Sequence, residues 1–236
     1  MHDALQLWLA STSPDKLREF AAAALQRNVR VDALSAIDRL APCVEDGRTF
    51  EENARKKAIY YSSGLDGLVF ADDSGLCVDA LGGAPGVFSA RFAGAVASDS
   101  TNNAKLLEEL RRVIPSGDWS CEVAAQASSG APLRTAAHYV CVIALAKRGR
   151  ILTVTAGRAD GAIVDQPRGS GGFGYDPHFF YPPLGATFAQ LSREAKFAVS
   201  HRGEAFRRLL DFLEHSEDSI REGEAPAFAT PPMYGD

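Results

Sequence analysis

Two adjacent carboxylates, Asp72 and Asp73, end a short apolar run that begins at Leu68. Neighbouring carboxylates repel each other unless a cation or strong hydrogen-bond donors lie close to them. Mg²⁺ prefers such oxygen ligands, and it commonly joins one or two carboxylates to phosphate oxygens. The pair therefore predicts a magnesium site that handles phosphates. The same residues, followed by Ser74 and Gly75, are also typical of a polar turn between two strands.

A second polar segment, Ser11–Lys16 with the sequence STSPDK, lies where a predicted strand gives way to a predicted helix. Free N–H groups and the helix dipole favour anions at such a point. Hydroxyl groups and one lysine beside them suit a triphosphate. The segment is not a P-loop, because the G-x-x-x-x-G-K-[ST] spacing is absent. A capped helix with a solvated lysine is the alternative interpretation.

A third segment, Gly171–Pro177 with the sequence GGFGYDP, combines glycines with two aromatic residues. Glycines allow close approach of the backbone to a ligand, and an aromatic face allows a nucleobase to stack. The pattern favours nucleotide binding over a hairpin loop that is merely anchored by aromatic side chains.

A fourth group of donors, Lys196 and Ser200-His201-Arg202, precedes or begins the last predicted helix. Donors at a helix N-terminus favour phosphate or the carbonyl-rich edge of a base. Glu45 precedes another predicted helix and could add a metal ligand. Lys57 lies within that helix and could add a phosphate contact. Taken singly, each of these residues also fits an ordinary surface charge.

The elements that must position these residues follow from hydrophobic periodicity and capping patterns. A first strand is predicted at Gln6–Ala10 and a helix after Ser13, with Pro14 in its first turn. The other predicted helices are 49–61, opened by the Thr49-x-x-Glu52 capping pattern, 103–114 and 201–215, and the other predicted strands are 68–71, 121–127, 136–146 and 151–155. Isolated and consecutive strands among helices predict an α/β fold with a mixed sheet.

Composition limits the classes of function that remain. The 236 residues carry a formal net charge of −5, which argues against binding of a nucleic-acid polymer. No apolar run is long enough to cross a membrane, and the N-terminus lacks the pattern of a secretory signal, so we expect a cytoplasmic protein. The four cysteines form no C-x-x-C pair, which argues against a zinc site or a redox dithiol. We expect one domain over residues 1–215 and a poorly ordered tail over 216–236.

Taken in order, the segments resemble the inosine/xanthosine triphosphate pyrophosphatase family. The matching stretches are LWLASTSPDKLREF, EDGRTFEENARKKA, FADDSGLCVDALGGAPGVFSARFAG, GSGGFGYDPHFF and AKFAVSHRGEAF. They extend from about Leu7 to Leu213. The resemblance implies a long mixed β-sheet flanked by helices, two lobes with the active-site cleft between them, and a homodimer. It also implies Mg²⁺-dependent hydrolysis of ITP, dITP and XTP to the nucleoside monophosphate and pyrophosphate.

The resemblance also implies roles for individual residues. Asp73 would be the catalytic carboxylate, and Asp73, Glu45 and Asp72 would hold the metal. The phosphates would be bound by Ser11, Thr12, Ser13, Pro14, Asp15 and Lys16, aided by Ser74, Lys57 and Lys196. The base and sugar would be held by Phe173, Gly174, Tyr175, Asp176, His201 and Arg202.

Two departures from the family pattern keep other readings open. Ser13 stands where the family commonly has Asn, and the segment from about Ser116 to Ala137 is longer than usual. The LASTSP sequence is also similar to the start of the Maf-like nucleotide pyrophosphatases, which prefer other bases. A nucleotide-binding module that senses its ligand without hydrolysis is the alternative from a different class.

Overall fold

The computed structural model describes residues 4–35, 37, 40–114, 119, 123 and 133–222. The strands of these residues are β1 (Leu5–Leu9), β2 (Val29–Ala33), β3 (Leu68–Val78), β4 (Ala136–Lys147), β5 (Arg150–Ile163), β6 (Phe179–Tyr181) and β7 (Ala186–Thr187). The named helices are α1 (Pro14–Ala24), α2 (Phe50–Ser62), α3 (Asp99–Val113), α4 (Arg193–Val199) and α5 (His201–Glu222).

The strands form one mixed sheet in the order β2-β1-β3-β4-β5-β6-β7. β1 pairs in parallel with both β2 and β3, whereas β6 pairs antiparallel with β5 and with β7. Between β4 and β5, Arg148 and Gly149 both have positive φ, at 50° and 74°, as a two-residue hairpin turn requires. The predicted α/β fold with a mixed sheet and flanking helices is therefore confirmed. The predicted cleft between two lobes stays a prediction.

The described chain divides into two compact units. The first contains the residues up to Asp73, Cys141–Gly157 and those from Arg202 onward; the second contains Ser74–Val140 and Arg158–His201. β3, β4 and β5 each pass from one unit into the other along the chain. The single domain over residues 1–215 remains a prediction.

The first unit has an aromatic core that anchors α1 to β3. The ring of Phe20 on α1 lies 5.2 Å from that of Phe70 on β3 and 4.8 Å from that of Phe206 on α5, between centroids. All three side chains are fully buried, as are Leu7 and Leu9 of β1. The packing fixes the N-terminal end of α1 and the middle of β3, which carry the polar residues predicted to bind phosphates and metal.

The second unit is built around α3, whose buried stripe contains Leu106, Leu107 and Leu110. This stripe belongs to one apolar cluster with Leu76 of β3 and Phe179 of β6. α3 starts earlier than the predicted residue 103, because Ser98 caps it. The Ser98 side chain accepts from the Thr101 backbone, and the Thr101 side chain accepts from the Ser98 backbone.

Three local predictions differ from the structure. β3 continues through Asp72–Gly75, beyond the strand end predicted at residue 71, because the two carboxylates are buried against lysines and the chain does not have to reach solvent there. α5 runs to Glu222 rather than His215, since no Gly or Pro occurs between His215 and Gly223. Val123, within the predicted strand 121–127, is helical and buried.

Parts of the remaining predictions fall outside the described residues. These are the rest of strand 121–127, most of the longer segment 116–137, and the predicted tail from residue 223 onward. Among the described helices, none combines the length and the apolar character that crossing a membrane requires.

Candidate active site

Asp72 and Asp73 lie side by side on β3 in the first unit and are 2% and 9% exposed. Successive side chains of a strand point to opposite faces, so the two carboxylates meet different partners. Asp72 Oδ2 lies 2.8 Å from Lys16 Nζ on α1, and Asp73 Oδ1 lies 3.3 Å from Lys57 Nζ on α2. The repulsion expected from the sequence is thus relieved by one lysine for each carboxylate.

The environment of Asp72 favours its charged form. Burial alone would raise the pKa of Asp72, but Lys16, Arg202 and Lys57 together hold it below its ordinary value. Arg202 is itself buried and donates from Nη1 to Glu19 Oε2 over 2.8 Å. Asp72 therefore serves as a fixed negative charge among three cations.

The groups around Asp73 shift its pKa in the direction opposite to that of Asp72. Burial raises the pKa of Asp73 above its ordinary value, against Lys57 and a hydrogen bond from Asn53, while Glu45 adds to the rise. Asn53 Nδ2 donates to Asp73 Oδ2 over 3.0 Å, and Lys57 Nζ also lies 3.0 Å from Glu45 Oε2. A carboxylate whose pKa is shifted toward neutrality is suited to accept a proton from water.

Lys57 keeps its charge despite its burial. Burial by itself would lower the pKa of Lys57, but Asp73, Asp72 and Glu45 raise it above its ordinary value. The ammonium lies between Glu45 and Asp73, two of the three residues predicted to hold a metal.

The N-terminal end of α1 has the capping predicted for it. Ser13 accepts from the Lys16 backbone over 3.4 Å, Pro14 occupies the first turn, and Ser11 Oγ accepts from Ser13 N over 3.2 Å. Thr12 is exposed. Asp15 pairs with Arg18 on the exposed side of the helix, so its carboxylate is not brought to the buried charges.

In the second unit, the predicted base-binding loop is organised around Asp176, which is 3% exposed. Asp176 Oδ2 accepts from Lys196 Nζ over 2.7 Å and from the Phe173 backbone over 3.0 Å. A Cβ at Gly172 would lie 2.1 Å from the same oxygen, and Gly172 has φ of +69°, so the loop requires glycine there. Lys196 Nζ also lies 4.5 Å from the centre of the Phe173 ring.

Side chains of α3 make hydrogen bonds to both the N–H and the carbonyl of Gly174. Its N–H donates to Asp99 Oδ2 over 2.6 Å, and its carbonyl accepts from Asn103 Nδ2 over 2.9 Å. Tyr175 is buried and donates its hydroxyl to the Ser89 carbonyl over 2.8 Å. Phe173, the other aromatic side chain of this loop, is less buried than Tyr175.

His201 is 2% exposed and stacks on Tyr139, with ring centroids 4.5 Å apart and planes within 7°. The Tyr139 hydroxyl lies 3.4 Å from Asp176 Oδ1. Tyr139 thus contacts two residues that the sequence predicted to hold the base and sugar. Ser74, predicted to bind phosphate, has intermediate exposure at the first position of the second unit on β3.

Each unit therefore gathers part of the predicted set. The first brings together Lys16, Glu45, Lys57, Asp72, Asp73 and Arg202, and the second brings together Phe173, Gly174, Asp176, Lys196 and His201. Sequence reasoning missed Glu19, Asn53 and Tyr139. Asn53 had a usable signal, because it lies four residues before Lys57 on the same helix face; Glu19 and Tyr139 had none.

The donor chemistry of the first unit fits Mg²⁺, although the side chains form no closed cage. Glu45 and Asp73 offer hard carboxylate oxygens, which Mg²⁺ prefers. Among the described residues, no three His, Cys, Asp or Glu side chains converge as a ready metal-binding group. An ion held by one or two carboxylates, with phosphate oxygens and water as its other ligands, matches the habit of Mg²⁺. Asp72, already paired with Lys16, stays a predicted ligand.

Known proteins give an independent comparison. The model of the Ham1 family matches residues 7–212. A dITP/XTP pyrophosphatase of Geobacter sulfurreducens is 46% identical over 209 residues, which cover 88% of this chain and 96% of that protein. One from Geobacillus kaustophilus is 42% identical over 205 residues, covering 86% and 92%.

Solved structures agree with these sequence matches. The Ham1 protein of Staphylococcus aureus has a TM-score of 0.72 at 36% identity, covering 89% of this chain and 99% of that structure. A HAM1 protein of Coxiella burnetii gives a TM-score of 0.73 at 35% identity, with the same coverage. The resemblance inferred from the motifs is confirmed, and this chain belongs to the Ham1 family.

Proposed function

We propose that this protein hydrolyses non-standard purine nucleoside triphosphates, namely ITP, dITP and XTP, to the monophosphate and pyrophosphate, and so removes them from the nucleotide pool. One observation carries the proposal: a buried carboxylate, Asp73, lies between Lys57 and Asn53 in a member of the Ham1 family. Relatives named dITP/XTP pyrophosphatase support this substrate class.

Asp73 is the proposed catalytic carboxylate. Water attacks the α-phosphorus, the bond from this phosphorus to the bridging oxygen breaks, and pyrophosphate leaves. Asp73 orients the water and accepts its proton. The burial that raises the pKa of Asp73 supports this role, since a base is most effective when its pKa lies near the working pH.

Cations and amides of the first unit stabilise the triphosphate in this proposal. Lys16 and Lys57 supply positive charge, and the hydroxyls and N–H groups of Ser11–Ser13 and the α1 N-terminus supply donors. Charge that develops on the leaving pyrophosphate strengthens these interactions in the transition state. When Mg²⁺ is bound by Glu45 and Asp73, it neutralises phosphate charge.

Residues of the second unit recognise the base in this proposal. Phe173 offers a face for stacking, and the network of Asp176, Lys196 and His201 holds the loop in one conformation. Donors that face a 6-keto group reject adenine, whose 6-amino group presents a donor where an acceptor is required. Such a mismatch of buried polar groups can reduce specificity constants by several orders of magnitude.

The proposal includes a homodimer that acts in the cytoplasm. The three cysteines among the described residues, Cys43, Cys77 and Cys141, are free thiols, as suits a reducing compartment. The homodimer rests on the family resemblance, and analytical ultracentrifugation at micromolar concentration tests it: sedimentation as a single chain would remove the dimer from the proposal.

The Asp73→Asn variant tests the proposed chemistry. We expect turnover of dITP to fall about 100- to 10,000-fold, the range for loss of general-base catalysis, with the fold retained by circular dichroism. In wild-type protein, ¹⁸O from labelled water should enter the monophosphate. The exposed Asp66→Asn variant is the matched control and should keep full activity. Normal turnover in Asp73→Asn, or label in pyrophosphate, would contradict the assignment.

A further inference from the structure

Asn53 joins two parts of the first unit that carry proposed functional residues. It is 1% exposed on α2. Its Nδ2 donates to Asp73 Oδ2 over 3.0 Å, and its Oδ1 accepts from Gly47 N over 2.8 Å. A single side chain therefore connects the carboxylate on β3 to the segment that precedes α2.

The orientation of this amide is fixed by its partners. A backbone N–H can only donate and an ionised carboxylate can only accept, so Oδ1 must face Gly47 and Nδ2 must face Asp73. Neither bond can form if the amide is turned over. The buried side chain thus has one stable orientation in which both of its ends are satisfied.

Close packing at Gly47 holds the connected segment in place. A Cβ at Gly47 would lie 2.6 Å from Asn53 Oδ1 and 2.8 Å from Glu52 Cβ. Two residues before Gly47, Glu45 reaches Lys57 Nζ at 3.0 Å. The absence of a side chain at position 47 allows this segment to lie against α2 and brings Glu45 to Lys57.

Asn53 and Lys57 each contact a different oxygen of the Asp73 carboxylate. They are one helical turn apart on α2, and they contact different oxygens, Oδ2 at 3.0 Å and Oδ1 at 3.3 Å. The terminal torsion of an aspartate is broad when nothing restrains it. Two donors from one rigid helix remove that freedom.

We propose that Asn53 is a positioning residue for the reaction, which fixes the orientation of the Asp73 carboxylate and the placement of the Glu45 segment relative to it. The inference rests on the proposed function, because it assigns Asn53 to the support of that reaction's carboxylate. Asn53 itself takes no part in the chemistry. Its effect is on turnover, since misplacing a reacting group by a fraction of an ångström slows the chemical step more than it weakens binding.

Two variants separate the two hydrogen bonds of Asn53. Asn53→Ser removes both hydrogen bonds. Gly47→Ala places a Cβ against Asn53 Oδ1 and so disturbs the bond from Gly47 N, whereas the Asn53 amide that donates to Asp73 is still present. With dITP and saturating Mg²⁺, we expect kcat to fall about 10- to 100-fold in Asn53→Ser, the range for loss of a supporting contact, with KM within about twofold of wild type. Gly47→Ala should lower kcat in the same direction, to a smaller extent.

Asn102 provides a matched control for the loss of a buried asparagine. It is 4% exposed on α3, donates from Nδ2 to the Ala90 carbonyl over 3.1 Å, and accepts from Ala93 N over 2.8 Å. Asn102→Ser should lower the unfolding midpoint in urea and leave kcat unchanged. Gly64→Ala, where a Cβ meets nothing within 4 Å, is the control for Gly47→Ala.

The results distinguish the inference from the function on which it rests. If wild-type protein releases no pyrophosphate, both are overturned. If wild-type protein is active and folded Asn53→Ser keeps its kcat, or if Asn102→Ser loses kcat equally, only the positioning role is overturned. Should Asn53→Ser fail to fold, Gly47→Ala decides: unchanged kcat in that variant would also overturn the inference.

Discussion

At the residue scale, three buried ion pairs among the described residues explain how these charges are tolerated. Asp72 pairs with Lys16, Asp176 with Lys196, and Arg202 with Glu19, at distances of 2.7 to 2.8 Å. A buried ion is costly without a partner of opposite charge. The pairs therefore keep charged groups ordered inside the two units before any substrate arrives, which reduces the reorganisation that the reaction requires.

Lys196→Met tests the pairing in the second unit. The variant keeps the apolar stem but leaves the buried Asp176 carboxylate without the ammonium at 2.7 Å. We expect the free energy of unfolding to fall by about 3 kcal/mol, as for other broken buried pairs, and KM for dITP to rise more than kcat falls.

Lys105→Met is the control for this change. Lys105 also has an ammonium over an aromatic ring, 4.6 Å from Phe92, but its hydrogen-bond partner is the Phe92 carbonyl rather than a carboxylate. Urea denaturation should therefore show a smaller loss of about 1 kcal/mol. Equal losses in the two variants, or a large fall in kcat with unchanged KM in Lys196→Met, would contradict the role given to Lys196.

Residue types identified the charged members of the candidate site, but they did not identify their partners. Asp73 was predicted from the adjacent carboxylates at a strand end, and Lys16 from its place at the start of a predicted helix. Lys57 was predicted as a phosphate contact, a role that the family resemblance also implies. Glu19 and Tyr139 were missed, since their roles depend on Arg202 and His201, which are distant in sequence. A sequence supplies the charges of a site, whereas the fold decides which of them meet.

At the element scale, strong local signals predicted the elements that position the site. The capping residues Ser13 and Thr49 predicted the starts of α1 and α2, and an apolar run predicted β4. β2, β6, β7 and α4, which carries Lys196, were not predicted; β6 and β7, with three and two residues, are too short to show alternation. The predicted strand stopped at residue 71 because Asp72–Gly75 is polar, whereas β3 continues through these residues with both carboxylates buried.

The cap of α3 gives a prediction at this scale. Ser98 accepts from Thr101 N over 3.3 Å at the start of the helix whose Asn103 holds Gly174. Ser98→Ala should lower the free energy of unfolding by about 1 kcal/mol, whereas Ser98→Gly should cost only a few tenths, since glycine tolerates the cap position. Urea denaturation of both variants is the measurement. Equal stability of Ser98→Ala and wild type would show that the cap contributes nothing here.

At the scale of the whole molecule, the buried His178 and the half-buried His138 make stability depend on pH. Burial lowers the pKa of His178 below its ordinary value, against the bond from its Nδ1–H to the Val164 carbonyl at 2.8 Å, and burial also lowers the pKa of His138. As pH falls through about 6.5, the unfolded chain therefore binds protons before the folded chain does. The free energy of unfolding should decrease on acidification, by up to about 1.4 kcal/mol for each pH unit and each group.

Comparison of His178→Asn with wild type measures this dependence. Asparagine cannot titrate in this range and can still donate toward Val164. Urea denaturation between pH 8 and pH 5 should show a shallower loss of stability in His178→Asn than in wild type. A loss of stability with the same slope in His178→Asn would remove His178 as a cause.

We propose ITP, dITP and XTP as the substrates of this protein, and product release from a panel of nucleotides tests that proposal. Pyrophosphate and orthophosphate would be measured with Mg²⁺ from ITP, dITP, XTP, ATP, GTP, UTP and dTTP. We expect pyrophosphate from the first three, with little from the rest and little orthophosphate. Pyrophosphate mainly from UTP or dTTP would favour the specificity of the Maf-like enzymes, and saturable ITP binding without any release would favour a sensing module; either result would rule out the proposed function.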